Sequence, residues 1–441
     1  MNDQINELRK LVSDHIIIQD PEKLNNYSVK GFKPKLIIRP ETYPEICEIV
    51  KFCNYYDLAI TPSGSGTKLH IGFRPSELDV IISLGELNKM LGHYEKDFIA
   101  TAECGMTLSG FQDELKKKNQ FLPLNPPLVR SGATLGGIIA TNDYGPARAR
   151  YGTSRELLLE IKVVRSDGKL IRGGAKVVKN VAGYDIPKLF VGSLGTLGIL
   201  VESTFRLYPI PEYSKTFAAS FTKLDDLESA VSKVLDADIV PTSVVVTNPE
   251  LSNDLTGLKS SKKSSLYNLY VKIENTKSAV NDQINTIEKI VHDKISGNYL
   301  TDMEENILWD GITDFPYSSS AANLVLKTSV LIRNSVKVLN YLIEIAANLN
   351  LKVKCSANMF NGILIISLHG EVKNQLIATN LLRSHVSSLE GNITVLRCSK
   401  ELDNEIDIWG NIGNTMNIMK KIKNNFDPKY ILNPGRLIRD L

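Results

Sequence analysis

The sequence predicts an α+β protein built in successive parts, on three observations. Glycine and other small residues crowd three segments of the first half: TPSGSGTKLHIG, SGATLGGIIATN and GGAKVVKNVAGYDIPKLFVGSLGTLGIL. After Pro209-Ile210-Pro211 glycine becomes rare and Lys, Asn and Ser increase. From there a β–α–β pattern repeats, for which antiparallel strands carrying helices on one face are the expected arrangement. With 441 residues, the chain is long enough for two or three domains with sizeable cores.

Composition narrows the function classes. Hydrophobic content is 43% and charged content 23%, ordinary for a globular protein. Lys+Arg 52 against Asp+Glu 49 leaves a net charge of +3, without the basic excess of a nucleic-acid binder. The Lys116-Lys117-Lys118 run reads as the solvated end of an amphipathic helix. Five cysteines, Cys47, Cys53, Cys104, Cys355 and Cys398, are scattered with no CxxC spacing, so no zinc or iron–sulfur site is expected. Their usage fits a reducing, cytoplasmic compartment. The polar start MNDQINELRKLVSD has no signal-type core. No apolar run approaches the about 20 residues of a membrane helix, so any membrane contact is expected to be peripheral, through partners at the inner face.

In chain order, a short helix runs to about Val12, and Lys35–Arg39 reads as a strand ended by Pro40. ETYPEICEIVKFCNYYD has helical spacing with one buried face, which makes Cys47 and Cys53 core residues. Leu58–Ile60 reads as a strand running into TPSGSGTKLHIG. A strand followed by alternating Gly and Ser or Thr is a candidate phosphate cradle, because successive N–H groups point into one concavity. The G-x-G-x-x-G fingerprint fails, since Leu69 stands at the third glycine, and Walker A spacing fails around Lys68. By itself the loop also reads as a plain turn between strands. Then follow the strand VIISL, the segment TAECGMTLSGF with its helix LSGFQDELKKKNQ, the turn PLNPP, and SGATLGGIIATN. Gly192, Gly195 and Gly198 recur every three residues, which opens a groove for a ligand or makes a packing seam. Tyr144-Gly145-Pro146 with Arg148 and Arg150 is either an anion-neutralising loop or a solvated basic one.

In the second half, strands are predicted at Thr216–Phe221, Thr242–Val246, Leu266–Ile273, Leu324–Thr328 and Gly362–Leu368. Helices are predicted at Lys223–Ala237, Thr276–His292, Ser335–Leu349 and Lys373–Leu389. Trp309 and Trp409 read as core or interface anchors. The tail IMKKIKNNFDPKYILNPGRL is an amphipathic helix followed by turn chemistry at Pro434-Gly435.

The order of these pieces, from about Lys33 to Pro211 and again in the tail, resembles the FAD-binding domain of the vanillyl-alcohol oxidase / p-cresol methylhydroxylase (PCMH-type) flavoproteins. Within that superfamily the chain most resembles the E-type flavin subunits of glycolate (2-hydroxy acid) oxidase complexes. The resemblance implies an N-terminal helical segment at 1–32, a two-subdomain FAD-binding domain at 33–211, a ferredoxin-like α+β cap at 212–410, and a C-terminal helix and tail at 411–441 returning to the FAD domain.

It also implies cofactor-binding residues. Pro62, Ser63, Gly64, Ser65, Gly66, Thr67 and Lys68 fall at the pyrophosphate. Gly132, Ala133, Thr134, Gly136, Gly137, Thr141, Asn142 and Gly145 form the second Gly-rich segment. Lys179, Asn180, Gly183 and Tyr184 fall near the flavin ring, and Gly195, Gly198 and Ile199 along the adenosine end. Asn433, Pro434, Gly435 and Arg436 are second in rank. Members with covalent FAD use a His in the first loop; Thr67 matches that position here and His70 lies three residues on, so FAD is expected to be non-covalent.

Oxidation of a 2-hydroxy acid asks for a base near neutral pKa and an Arg fork for the carboxylate. Relatives that oxidise lactate or glycolate carry a cap motif resembling H-x-G-D-G-N-x-H. Here the counterpart is Cys355-Ser356-Ala357-Asn358-Met359-Phe360-Asn361-Gly362, without His or Asp, and His369 is a poor substitute; no catalytic residue is assigned. The resemblance therefore implies the FAD subunit of a glycolate or D-lactate oxidase or dehydrogenase complex, working with a second flavin subunit and an iron–sulfur subunit. A self-sufficient FAD dehydrogenase or oxidase of a hydroxy acid, sugar acid or lactone is the alternative, and a structural subunit without flavin a third. No NAD fingerprint is present, so a non-NAD acceptor is expected, and no metal.

Overall fold

The structure, a computed structural model, describes residues 2–177, 183–255, 265–291, 297–318 and 324–437. The chain forms two compact units. One comprises Met1–Tyr144, Thr153–Ile210 and Ile412–Leu441; the other comprises Gly145–Gly152 and Pro211–Asn411.

The first unit contains two larger sheets. A four-stranded sheet runs in the order Ile17–Ile18, Leu36–Ile38, Val80–Ser83, Ile60–Ser63, and its last three strands are parallel. The helix Tyr43–Tyr55 makes the crossover from Leu36–Ile38 to Ile60–Ser63. Thr42 and Glu45 cap each other reciprocally at its start, which satisfies two orphan N–H groups. Its buried face, Ile46, Ile49, Val50 and Cys53, joins Ile38, Ile60, Val80 and Ile82 in one core. Cys53 is core as expected, while Cys47 is half-buried beside it.

The predicted strand at Leu58–Ile60 lies later, at Ile60–Ser63, and passes through Pro62. It is last in the ladder order of its sheet, where the missing proline N–H costs no ladder bond. The other sheet is antiparallel, in the order Met90–Tyr94, Ile99–Glu103, Ile199–Arg206, Leu158–Val164, Leu170–Gly174. The helices Leu108–Lys116 and Leu135–Thr141 bury Phe111, Leu115, Ile138 and Ile139 with Phe205 and Leu200 of this sheet.

The second unit is one eight-stranded antiparallel sheet. Its order is Gly297–Tyr299, Tyr213–Phe221, Tyr267–Asn275, Ser243–Thr247, Lys352–Asn358, Ile363–His369, Leu324–Ser329, Asn392–Arg397. Each half is a β-α-β-β-α-β unit. In the first, Leu224–Asp236 and Lys277–Val291 are the two helices; in the second, Ser335–Asn348 and Val372–Ser388 are. Numbered within each half, the strand orders are four-one-three-two and its mirror, the ferredoxin-like arrangement. The halves join along their second strands, where Val245, Val246 and Thr247 face Asn358, Ala357 and Ser356.

The expectation of helices on one face is incomplete. Pro249–Leu255 and Asp302–Asp314 bury Leu251, Leu255, Leu308 and Trp309 with Val245 and Tyr270. Side chains of a strand alternate between faces, so these two helices cover the face opposite to that of Val244 and Val246. Trp309 is a core anchor whose indole N–H donates to Thr216 Oγ1 at 2.9 Å. Trp409 is half-buried.

Candidate cofactor cavity

The cavity lies in the first unit and grows out of the end of strand Ile60–Ser63. The loop that follows turns tightly: Gly66 sits at φ +74°, Leu69 N–H donates to the Gly66 carbonyl at 3.3 Å, and Ile71 N–H to the Lys68 carbonyl at 3.1 Å. A side chain resists that φ, and glycine does not. Gly64 is needed for a different reason. A Cβ there would lie 2.1 Å from Thr134 Oγ1, so this loop rests flush on the start of the second Gly-rich segment.

Thr134 is the N-cap of helix Leu135–Thr141 and accepts the Gly137 N–H at 3.3 Å. Two residues on, Gly136 packs against Cys104 and leaves 2.9 Å for a Cβ. The third wall is the loop at Leu194 and Gly195, where a Cβ on Gly195 would come within 2.6 Å of Pro62. These walls bound an open cleft with about 750 Å³ of non-atom space, open solvent included.

The C-terminal segment ties the walls together. Ile60 N–H donates to the Ile431 carbonyl and Asn433 N–H to the Ile60 carbonyl, each at 2.7 Å. The Asn433 carboxamide accepts from Thr61 Oγ1 at 2.8 Å and donates to the Leu194 carbonyl at 2.6 Å. Arg436 donates to the carbonyls of Leu69 and Phe73, each at 2.7 Å, and to that of Ile71. Behind them Lys423, 4% exposed, donates to the carbonyls of Thr196 at 2.8 Å and Leu432 at 3.0 Å, and to Asp427 at 2.6 Å. Burial pulls the Lys423 pKa down, while the Asp427 carboxylate opposes that shift.

The lining suits a ligand with an anionic middle and flat apolar ends. Ser63, Ser65, Thr67, Lys68 and Arg436 supply polar and cationic groups, and Ile71, Leu84, Leu194 and Leu200 supply apolar surface. FAD, with its diphosphate between two ring systems, fits this donor set. Lys68, on the wall, is paired with Asp143 behind it, Nζ to Oδ2, at 2.7 Å. Cys104 also lines the wall, but burial pushes its thiol up to about 12, which keeps it protonated and non-nucleophilic. Among the described residues no carboxylate or imidazole lines the cavity.

Most of the anticipated residues meet at this wall: Pro62 through Lys68, Thr134, Gly136, Gly137, Thr141, Gly195 and Gly198. Others stand behind it. Gly132 accepts from Ser65 Oγ at 2.6 Å, Ala133 and Ile199 are core, and Asn142 closes the helix in the left-handed conformation. Gly145 belongs to the second unit. Gly183 and Tyr184 are exposed, Tyr184 at 92%, and Lys179 and Asn180 lie outside the described residues. Leu69, Ile71, Leu84, Cys104, Ala140, Leu194 and Leu200 were missed; nothing local in the sequence marks an aliphatic as wall rather than core. Asn433 and Arg436, ranked second, line the wall directly.

In the second unit, the segment from Cys355 is a strand, Lys352–Asn358, turned at Gly362 into Ile363–His369. Asn358 donates to the Pro146 carbonyl at 3.0 Å, and Arg150 donates to the Glu274 carbonyl. Arg150 is thus engaged within its own unit. His369 contacts Ser367 Oγ at 3.1 Å. Burial, then the cations of Lys354 and Lys352, lower its pKa, so it stays neutral at pH 7.

No cluster of three or more His, Cys, Asp or Glu among the described residues is placed to hold a metal. No described helix is long and apolar enough to cross a membrane. Comparison with known proteins agrees with the cavity. An FAD binding domain model matches residues 34–174, and a model of the C-terminal domain of FAD linked oxidases matches 210–372 and 411–437. The chain is similar to the glycolate oxidase subunit GlcD of Bacillus subtilis (strain 168), 28% identical over 434 residues, covering 92% of this chain and 89% of that one. It is similar to a probable mitochondrial D-lactate dehydrogenase of Danio rerio, 25% identical over 428 residues, covering 92% and 84%. Among solved structures, p-cresol methylhydroxylase shares the fold at a TM-score of 0.76 and 16% identity, covering 99% of this chain and 96% of that one. Alkyldihydroxyacetonephosphate synthase shares it at 0.75 and 18%, covering 98% and 85%. The glycine-walled cavity and the two family matches, which together span most of the chain, place it among the FAD-linked oxidoreductases, with the fold that p-cresol methylhydroxylase shares.

Proposed function

We propose that this chain is the FAD-carrying subunit of a complex that oxidises a 2-hydroxy acid such as glycolate or D-lactate and passes the electrons to a non-NAD acceptor. The observation that carries the reading is a contrast. The cavity has the shape and donor set for FAD, while the hairpin 352–369 carries Cys355, Asn358 and Asn361 where substrate-oxidising relatives have a His- and Asp-bearing motif. The relatives named as a glycolate oxidase subunit, a D-lactate dehydrogenase and a D-2-hydroxyglutarate dehydrogenase support the substrate class. Bound FAD supplies a two-electron acceptor for hydrogen leaving an α-carbon. The chain's own residues hold the cofactor at the Pro62–Lys68 loop, and a partner supplies the base. A second flavin subunit to supply the base and an iron–sulfur subunit to carry the electrons onward are the partners this reading implies. FAD is held non-covalently: His70 is off the cavity wall and Thr67 is on it.

The test is a visible spectrum of the purified chain followed by anaerobic titration. Flavin bands are expected that bleach with dithionite but persist with glycolate and D-lactate, until the partner subunits are added. Acid precipitation is expected to leave the colour in solution. Bleaching of the isolated chain by D-lactate would replace the reading with a self-sufficient dehydrogenase, which the near full-length match to a D-lactate dehydrogenase favours.

A further inference from the structure

We propose that Lys68 and Asp143 form a latch that opens and closes the cofactor cavity. The inference rests on the reading of this cavity as the FAD site and concerns how FAD enters and leaves it. The loop after Ser63 and the helix Leu135–Thr141 face each other across the cavity, and two fasteners join them. At the start of the helix the fastener is rigid: Gly64 lies flush on Thr134, and Ser65 Oγ donates to the Gly132 carbonyl at 2.6 Å. At the end of the helix the fastener is the ion pair from Lys68 Nζ to Asp143 Oδ2, at 2.7 Å, with side chains 8% and 18% exposed. Seven helical residues rise about 10 Å, which sets the two fasteners apart along the helix. Gly136, Gly137, Ala140 and Thr141 form the wall between them.

Both ends of the ion pair stand on braced backbone. Asn142 and Asp143 return their N–H groups to the carbonyls of Ile139 and Ile138, each at 3.1 Å, and Asp143 Oδ1 accepts the Tyr144 N–H at 3.2 Å. On the opposite side Arg436 holds the carbonyls of Leu69 and Ile71 next to Lys68. The first fastener sets the Gly64 backbone against the Thr134 side chain, with no room between them, and adds the Ser65 hydrogen bond. The second consists of side chains with rotatable bonds, so it can part without moving either backbone, and parting frees the Lys68 side chain that lines the cavity. Asp143 has a second effect. A carboxylate beside a site for a diphosphate repels it unless a cation neutralises it, and Lys68 does so only while the pair is closed.

The experiment measures FAD association and dissociation rates by flavin fluorescence on the full chain, for wild type, Lys68→Met, Asp143→Asn and the exchanged pair Lys68→Asp with Asp143→Lys. A latch predicts that both single variants release FAD about tenfold faster, the scale of a coupled pair. Association accelerates too, so affinity changes less than either rate. The exchanged pair returns most of the way to wild type. Slower release from Asp143→Asn would overturn the proposal and make Lys68 a direct phosphate contact held back by Asp143. Unchanged rates in both single variants, or an exchanged pair as fast as the singles, would overturn it as well. If the single variants do not fold, judged by far-UV circular dichroism of the apoproteins, the exchanged pair decides alone. Wild-type protein that takes up no FAD defeats the cofactor reading itself, an outcome distinct from failure of the latch.

Discussion

Gly64 serves the site through the space it leaves for a neighbouring wall. The alternation of Gly64 and Gly66 reads as the tight path of a phosphate-cradling loop. The structure separates the two: Gly66 provides a positive φ, and Gly64 provides the space for Thr134. Gly64→Ala is therefore expected to push the first loop off the second segment, lowering stability by about 1–3 kcal/mol and lowering the FAD content of purified protein. Gly85→Ala is the control, since a Cβ there meets nothing within 4 Å; it is expected within about 0.5 kcal/mol of wild type. Thermal melts with flavin content measure both, and equal behaviour of the two variants would count against wall-on-wall contact as the reason for Gly64. The anticipated loop residues were legible because glycine, serine and lysine announce themselves locally. The aliphatic wall was not, because Leu84 and Leu200 look like any other strand residue until the strands are placed.

At the scale of elements, the helix Met416–Phe426 and the strand-like residues after it carry a buried ion pair as a joint. Lys423 reaches Thr196, on the loop that forms the third wall, and Leu432, which lies beside Ile60. Asp427 also accepts the N–H groups of Ile431 at 3.2 Å and Leu432 at 2.8 Å. Removing one member of such a pair leaves the other buried and uncompensated. Lys423→Met is expected to cost about 3–5 kcal/mol, read as a lower denaturant midpoint, and to loosen FAD because the loop at Gly195 loses its brace. Undiminished stability would show that the joint is dispensable. The sequence marked this helix as amphipathic without assigning a place to Lys423, which falls four residues after Met419 and three before Phe426, on the apolar side. Its burial follows from contacts with residues far away in sequence.

For the molecule as a whole, the second unit is a tandem of two ferredoxin-like repeats fused across the short seam of Val245, Val246 and Thr247 with Ser356, Ala357 and Asn358. Ala357 is fully buried and paired on both sides, with Val246 and with Leu364. Proline there removes a ladder donor from a central strand, where proline is not tolerated. Ala357→Pro is expected to break the seam at a cost of about 3 kcal/mol or more, seen in calorimetry as a large fall in the melting temperature of this unit. A melting profile identical to wild type would refute the fused-sheet account. The first strand and helix of each repeat were readable from period. The strand Lys352–Asn358 was not among the predicted strands, and its end was read only as the counterpart of a cap motif, because the small and polar Ser356 and Asn358 mask the alternation. Both are buried in the sheet and at the seam.

The sequence by itself determined the α+β class, the glycine segments that become the cavity walls, the repeated β-α-β pattern and the FAD-linked superfamily. All of these rest on local signals: residue type, hydrophobic period and the order of short motifs. Tertiary structure decided which glycines are small for the neighbouring wall rather than for a ligand, which lysine is buried, and that Lys68 meets Asp143. Those properties depend on which distant segments meet, and no local period encodes that.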